Sequence, residues 1–321
     1  MKDSSPPAIP PLSYPLGYNG SMPVALAPIS SPEPDVEPDG ALAVLPPERR
    51  PPSHLSPSSA ATFEQCPRRW KFRYLERLPD PPGEAALAGT LVHRVLERLL
   101  GEPAIDRNLD RARALAGEEW PLHQALPELN QLGLDAEATR RYKWRVWQAI
   151  SGLWDLEDPT GVQVVATERR LDVQLGSVPF LGVLDRVDAT ADGIVVTDYK
   201  SGRPPPAAYE ADKLDQVLLY AAAWQASSGT EPIRARLLYL GSRSIEIEIT
   251  GERLNGVLAR LQERWEALNA CVTTEHFEPK TGPLCAWCPY TSRCPEGAGE
   301  VQRRHSAGRV PLDAPALRPP V

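Results

Sequence analysis

The fold of this chain is decided by two neighbouring stretches, LGVLDRVD at residues 181–188 and VVTDYKSG at residues 195–202. In each, apolar residues lead into charged ones, which is typical of buried β-strands as they reach the edge of a sheet. Because residues i and i+2 of a strand share a face, Asp198 and Lys200 would project together and Tyr199 would face the other way. If the two strands pair as a hairpin, Asp185 would lie beside Asp198.

The paired carboxylates indicate a metal site for hydrolytic chemistry. Two carboxylates at strand ends suit Mg²⁺ or Mn²⁺, and such a metal polarises a phosphoryl oxygen and lowers the pKa of bound water. Lys200 is one of six lysines beside 29 arginines. It can orient or deprotonate that water, which an arginine does not readily do because it stays protonated. The alternative is that Asp198 caps the turn at residues 201–202 and Lys200 is a solvated strand end.

Two further segments supply candidate residues. His93 lies one helical turn from Gly89 and from Glu97, and it can offer a neutral imidazole to the same metal. A lone helical histidine can equally be structural or exposed. Gln216 and Tyr220 share one helix face, where an amide and a phenol can grip a phosphate or a base. Ordinary helix packing is the alternative there.

Taken in order, these residues resemble the RecB-type branch of the PD-(D/E)XK nuclease superfamily over residues 55–296. The resemblance implies an α/β fold with a restriction-endonuclease-like PD-(D/E)XK core, in which helices flank a central mixed sheet, and an added helical region. It also implies a metal held by three side chains and one backbone carbonyl, which belong to His93, Asp185, Asp198 and Tyr199. Lys200 would be the catalytic lysine, acting with Asp185 and Asp198.

The resemblance extends to the residues around this set. Gln216 and Tyr220 would form the branch's Gln-x-x-x-Tyr motif, near the DNA. Asp198 departs from many members of the branch, which carry glutamate before the lysine. Glu168, on the strand before Asp185, is a further acidic contact with weak support.

A second group of candidate ligands is formed by Cys66, Cys285, Cys288 and Cys294, of which the last three are spaced C-x2-C-x5-C. Four thiolates hold either a structural Zn²⁺ or a [4Fe–4S] cluster, and spacing alone does not decide between them. With one cysteine ahead of the core and three behind it, the pattern resembles nucleases of the AddB and CRISPR-associated kinds. That resemblance implies a [4Fe–4S] cluster that staples the two ends, with zinc as the alternative. Cys271 is expected to be a buried thiol.

The segment after Cys66 has the composition of a contact with single-stranded nucleic acid. Within residues 68–79, five residues are basic and three are aromatic. Cations can meet phosphates and rings can stack on bases, so we expect nucleic-acid binding by Arg68, Arg69 and Trp70. The alternative is a helix whose aromatic rings pack inward and whose arginines are solvated.

The chain is organised as one domain between two proline-rich ends. Residues 1–52 hold 14 of the 36 prolines and are expected to form a disordered arm. Residues 53–303 would form the nuclease-like domain with its C-terminal cysteine cluster, and residues 304–321 a disordered tail. Apolar periodicity predicts helices near residues 57–66, 85–100, 106–120, 134–156, 214–225 and 252–271, and strands near 162–175, 178–187, 193–199, 234–240 and 244–249.

Composition limits the classes of function. The 321 residues are 42% hydrophobic and 24% charged, which suits a soluble globular protein. The net charge of -7 is weak evidence against nucleic-acid binding, because binding depends on a local patch. No apolar run approaches the ~18 residues of a membrane span, and the N-terminus lacks a signal pattern, so we expect a cytoplasmic protein without a membrane partner. The sequence has no G-x-x-x-x-G-K-[ST] motif, so unwinding would need a separate helicase.

These observations lead to one expected function and two alternatives. We expect a Mg²⁺- or Mn²⁺-dependent deoxyribonuclease, a phosphodiester hydrolase that acts as an exonuclease on single-stranded DNA or duplex ends in DNA repair or recombination. The first alternative is a catalytically silent, nuclease-fold DNA-binding module, which the intact set of metal ligands and lysine argues against. The second is a helicase-partner module whose proline-rich arm docks on a helicase or polymerase. Chemistry alone does not exclude RNA, but the resemblance favours DNA.

Overall fold

A computed structural model describes residues 53–312 and 314–317, with every side chain among them except that of residue 212. The arm predicted for residues 1–52 lies outside the described residues. Within the part of the chain that is described, no helix has the length and apolar character needed to cross a membrane.

A five-stranded mixed sheet lies at the centre of the domain, with its strands in the order β1-β2-β3-β4-β5. The strands are β1 (Gln163–Leu175), β2 (Val178–Ala189), β3 (Ile194–Lys200), β4 (Pro232–Tyr239) and β5 (Arg243–Glu248). β3 and β4 run parallel, and the other neighbouring pairs are antiparallel. The parallel pair requires a crossover connection, which a long helix between β3 and β4 supplies.

Helices cover both faces of this sheet. The α-helices of the described residues are α1 (Pro57–Gln65), α2 (Pro67–Trp70), α3 (Glu84–Gly101), α4 (Leu109–Gln124), α5 (Pro127–Gln131), α6 (Ala136–Ser151), α7 (Glu210–Ser228), α8 (Gly251–Thr274) and α9 (Pro295–Ser306). One face packs against α1, α7 and α8 around the buried Val196. The other packs against α3, α4 and α6 around the buried Tyr199. The alternation of β3 therefore sends one face of the strand into each layer.

The hairpin between β2 and β3 has the register that aligns the two acidic residues. Arg186 pairs with Thr197, so Asp185 lies opposite Asp198 as predicted. The turn depends on Gly193, whose φ of +146° favours glycine. A Cβ at this position would lie 2.9 Å from a side-chain carbon of Ile233, so the close packing of β4 excludes a larger residue.

The predicted α/β fold is confirmed, and the differences lie at element ends. α1 begins as expected, with Ser56 as its N-cap and Pro57 as its first residue. α4 begins at Leu109 rather than near residue 106, because Asn108 caps it after a short 3-10 turn. α6 ends at Ser151 rather than near residue 156. At Gly152 the chain passes so close to the β4–β5 turn that a Cβ would lie 2.3 Å from a backbone nitrogen.

The C-terminal segment is more ordered than predicted over its described residues. α9 continues to Ser306, beyond the start of the expected disordered tail at residue 304. Val310 and Ala314 are buried against Ala286 and Val301. These apolar contacts fix the segment to the cysteine region, and proline content alone did not reveal them.

Candidate active site

Three carboxylates form a row across β1, β2 and β3. Thr167 pairs with Arg186, which in turn pairs with Thr197. The adjacent positions on these strands are occupied by Glu168, Asp185 and Asp198. The sheet therefore aligns the two predicted aspartates and adds Glu168, the residue with the weakest support from the sequence.

His93 reaches this row from α3. Its Nδ1 lies 3.5 Å from Asp185 Oδ1 and 3.8 Å from Glu168 Oε1. Ligand atoms of His93, Glu168 and Asp185 all lie within 4.8 Å of one another. Glu168 has a φ of +43°, which non-glycine residues rarely adopt and which recurs at active sites. The three residues are thus close enough to share one cation.

The site contains more carboxylates than cationic groups. Burial and the neighbouring charge of Asp185 together raise the pKa of Asp198 to about 6, although Lys200 opposes both effects. Burial alone would lower the pKa of His93, but hydrogen bonds to Asp185 and Glu168 outweigh it and raise that pKa to about 10. Three carboxylates so close together attract positive charge, which a divalent cation would supply.

Lys200 is held between β3 and α7. Its Nζ lies 2.7 Å from Asp198 Oδ2 and donates a hydrogen bond to Gln216 Oε1 at 3.1 Å. Gln216 Nε2 lies 3.3 Å from Asp198 Oδ1 and 3.2 Å from the Tyr220 hydroxyl. Gly182 makes room for this arrangement, because a Cβ there would lie 2.8 Å from the Tyr220 ring. Gln216 therefore contacts the lysine and the aspartate directly, and Tyr220 contacts Gln216.

Tyr199 connects the carboxylate row to the other face of the sheet. Its backbone N–H donates to Asp185 Oδ2 at 2.7 Å. Its side chain faces away from the row, as predicted, and its hydroxyl accepts a hydrogen bond from Arg186 at 2.7 Å. The carbonyl expected to bind metal lies in β3, between Asp198 and Lys200.

An open groove of about 460 Å³ leads to the row of carboxylates. It is lined by α3 residues, including Gly89, Thr90 and His93, and by Glu168 on β1. Gly89 keeps this helix close to the end of β3, since a Cβ there would lie 3.3 Å from the Ser201 hydroxyl. Of the candidate ligands, His93 and Glu168 thus line the open groove, whereas Asp185 and Asp198 are buried behind them.

A comparison with protein-family models matches residues 54–295 to the PD-(D/E)XK nuclease superfamily. The chain belongs to this superfamily. Membership implies phosphodiester hydrolase activity, and superfamily members generally use divalent metals, which the donor set of His93, Glu168 and Asp185 fits. No curated protein matches the chain significantly.

The structure also brings together the four cysteines that the sequence separates. Cys66, Cys285, Cys288 and Cys294 line one cavity. The N–H of Gly297 donates to the Cys294 sulfur at 3.3 Å, and the N–H of Gly282 donates to the Cys285 sulfur at 3.4 Å. Cys271 is partly buried on α8 and does not line this cavity.

The predicted nucleic-acid contact after Cys66 is wrong for Trp70. This side chain is 0% exposed, its indole N–H donates to Ser59, and its ring stacks on Phe277. A ring that is fully packed inside the domain cannot stack on a base. Arg68 and Arg69 are partly exposed beside the cysteine cavity, with Arg68 donating to the Phe277 carbonyl. For the ring, the packing alternative is the one the structure supports.

A buried ionic network behind the site was not foreseen. Arg186 is fully buried and contacts Glu157 at 2.6 Å and Asp188 at 2.8 Å. Arg236 contacts the same two carboxylates, each at 2.9 Å. Asp188 was visible in the LDRVD segment, but its partners lie far away in the chain and follow no local pattern.

Proposed function

We propose that the chain is a Mg²⁺- or Mn²⁺-dependent deoxyribonuclease of the RecB-type branch, an exonuclease acting on single-stranded DNA or duplex ends in DNA repair or recombination. The observation that carries this proposal is the convergence of His93, Glu168, Asp185 and Asp198 beside Lys200. The contact of Gln216 with both Asp198 and Lys200 supports the assignment to the branch.

The metal would be held by His93, Asp185, Asp198 and the Tyr199 carbonyl, with Glu168 as an additional oxygen donor. When bound, it would polarise the scissile phosphate and supply an activated water. The rest of the chemistry falls to the chain itself. Lys200 can exchange a proton with the attacking water and offset the negative charge that develops on the phosphate.

The neighbours of these residues keep them in position. Gln216 and Asp198 hold the Lys200 ammonium from two sides. The Tyr199 N–H occupies Asp185 Oδ2, which leaves Oδ1 directed toward His93. Held in this way, the groups need little rearrangement when a phosphate enters the groove.

The test is cleavage of end-labelled single-stranded DNA with Mn²⁺ or Mg²⁺ by the wild type, Lys200→Ala and Lys213→Ala. Lys213 is an exposed lysine of α7, so it controls for the loss of one positive charge. We expect metal-dependent cleavage by the wild type and Lys213→Ala and its loss in Lys200→Ala. The product ladder gives the polarity. Equal cleavage by all three proteins would mean a contaminant or a different active site.

Because the sequence lacks a nucleotide-hydrolysing helicase motif, we propose that a separate helicase supplies single strands from long duplexes. The same assay with a blunt duplex tests this. We expect digestion to stall near the ends and to extend when an added helicase unwinds the DNA. Complete digestion of the duplex without a helicase would contradict it.

We propose that Cys66, Cys285, Cys288 and Cys294 bind a [4Fe–4S] cluster, with zinc as the alternative occupant. The cavity that they share and the hydrogen bonds that two backbone N–H groups donate to cysteine sulfurs support a metal site there. Hydrogen bonds of this kind stabilise thiolates and tune such clusters.

Anaerobic purification tests the cluster. We expect brown protein, and we expect Cys288→Ala to lose both colour and stability, whereas Cys271→Ala keeps them. Equimolar zinc without iron in the anaerobic preparation would establish the alternative.

A further inference from the structure

The helical layer carries a second surface rich in aromatic and basic residues, separate from the segment after Cys66. It consists of residues that α4 and α6 place side by side: Arg113, Trp120, Arg140, Lys143, Trp144 and Trp147. We call this set the α4–α6 surface. Nothing in the proposed chemistry uses it.

Cations and rings from the two helices interleave on this surface. The Arg113 guanidinium lies 4.6 Å from the centre of the Trp147 ring, and the Lys143 ammonium lies 4.0 Å from that of Trp120. The helices therefore run antiparallel. Between Arg113 and Trp120, Gly117 leaves open space, since a Cβ there would meet nothing within 4 Å.

Trp144 is exposed on this surface, and two of the cations lack a carboxylate partner within the part of the chain that the structure describes. Trp144 is 59% exposed, although a tryptophan usually buries most of its ring. Among the described residues, neither Arg140 nor Lys143 has a carboxylate within ion-pair distance. Arg140 lies four residues before Trp144 on the same side of α6, and an open ring beside a cation without a carboxylate partner is typical of surfaces that bind single-stranded nucleic acid.

The surface is connected to the active-site groove through α3. Arg145, the neighbour of Trp144 in the chain, forms an ion pair with Glu84 at the start of α3. Ala86, two residues further on, lines the groove that reaches His93. Along the helix, Glu84 and His93 are separated by about 14 Å. A strand that leaves the groove toward the start of α3 would reach α6 beside Arg145.

We propose that the α4–α6 surface binds the single strand outside the active site, with Trp144 stacking on a base and Arg140 and Lys143 contacting phosphates. This inference rests on the proposed nuclease function and adds a binding path to it. A protein partner fits less well, because lysine is depleted at protein interfaces, whereas Lys143 belongs to this surface.

The test measures the affinity of fluorescein-labelled oligothymidine for the Lys200→Ala protein, which cannot degrade the probe if the proposed function is correct. We expect Trp144→Ala to raise the Kd at least about five-fold, the loss typical of one stacked base. Arg140→Glu with Lys143→Glu should lower the slope of log Kd against log salt by about 1.4, or 0.7 for each lost phosphate contact. Circular dichroism checks that each variant is folded.

Two substitutions serve as matched controls. Leu122→Ala removes an apolar side chain that is 69% exposed on another side of α4, and Arg303→Glu reverses an exposed cation on α9. Neither should change the Kd. Equal affinity of the Trp144 and charge-reversal variants and the parent protein would overturn the inference, as would a parent protein that binds no oligothymidine.

The same variants separate this inference from the proposed function. If the wild type cleaves DNA and Trp144→Ala leaves binding unchanged, the nuclease proposal stands and the surface proposal fails. If the wild type does not cleave but Trp144→Ala weakens binding, the surface proposal stands and the nuclease proposal fails.

Discussion

The two faces of the β2–β3 hairpin differ in the balance of their charges, because one face pairs equal numbers of cations and anions and the other has more anions than cations. On one face, Arg186 and Arg236 meet Glu157 and Asp188 in a buried network of two cations and two anions. On the other face, Glu168, Asp185 and Asp198 crowd together opposite one lysine and one histidine. Asp185 and Arg186 are adjacent in the chain, yet they belong to different groups.

We interpret the balanced network as structural and the unbalanced carboxylates as the group that would carry the proposed chemistry. Balanced ions satisfy one another and have no need of a further ligand. Burial and the charge of Asp185 raise the pKa of Asp198, and hydrogen bonds to Asp185 and Glu168 raise the pKa of His93, so a bound cation would relieve the excess of negative charge. Substitutions on the two faces should therefore affect different properties.

Breaking the balanced network should have the largest effect. Arg186→Met removes one cation and leaves Glu157 and Asp188 underpaired, so we expect the free energy of unfolding to fall by about 3–5 kcal/mol. Urea denaturation measures this. Arg303→Met, at an exposed ion pair, should stay within about 0.5 kcal/mol of the wild type. A loss below about 1 kcal/mol for Arg186→Met would show that the network does not stabilise the fold.

Removing a negative charge from the unbalanced face should reduce activity and have little effect on the stability of the fold. We expect Asp185→Asn to lower the initial rate of DNA cleavage by roughly 100- to 1,000-fold. The free energy of unfolding should change much less than in Arg186→Met, because the substitution removes both the repulsion between Asp185 and Asp198 and the attraction between Asp185 and His93. If Asp185→Asn lost as much stability as Arg186→Met but cleaved DNA at the wild-type rate, the carboxylate face would be structural rather than chemical.

Adding a cation should stabilise the unbalanced face without any substrate. With Mn²⁺ at 100 times its Kd, the wild type should gain about 2.7 kcal/mol, visible as a rise in Tm of several degrees. Asp185→Asn should gain less at the same Mn²⁺ concentration, because it has lost a ligand. Equal gains would place the metal elsewhere on the protein.

The smallest effect is expected from Thr197→Val, inside the balanced network. The Thr197 hydroxyl accepts a hydrogen bond from Arg236 at 2.8 Å and lies 3.3 Å from Asp188. Replacing it with a methyl group should cost about 1–2 kcal/mol in urea denaturation. The cleavage rate at a temperature where the variant is folded should change less than two-fold, and a larger loss would mean that the two faces are coupled.

Local patterns were sufficient to predict the strand pair and its register. Period-2 apolar residues and the turn at Gly193 indicated a hairpin, and the hairpin placed Asp185 opposite Asp198. The end of α6 could not be predicted in this way, because it depends on the approach of Gly241 from a distant turn.

Residues whose role depends on distant partners were the hardest to predict. Trp70 has the same neighbours in sequence whether it is exposed or buried, and its burial follows from contacts with Phe277, some two hundred residues away. Glu168 carries a charge on a strand, which usually means solvent exposure. Its position beside His93 follows from the packing of α3 against β1.

The arrangement of the cysteines has a consequence for the order of biosynthesis. Glu168, Asp185, Asp198 and Lys200 all leave the ribosome before Cys285, Cys288 and Cys294. At typical elongation rates, the 94 residues from Lys200 to Cys294 take roughly 5–20 s to translate. During that interval Cys66 is a thiol without its three companions. The residues of the candidate active site are therefore synthesised first, and the cavity that the four cysteines line is completed last.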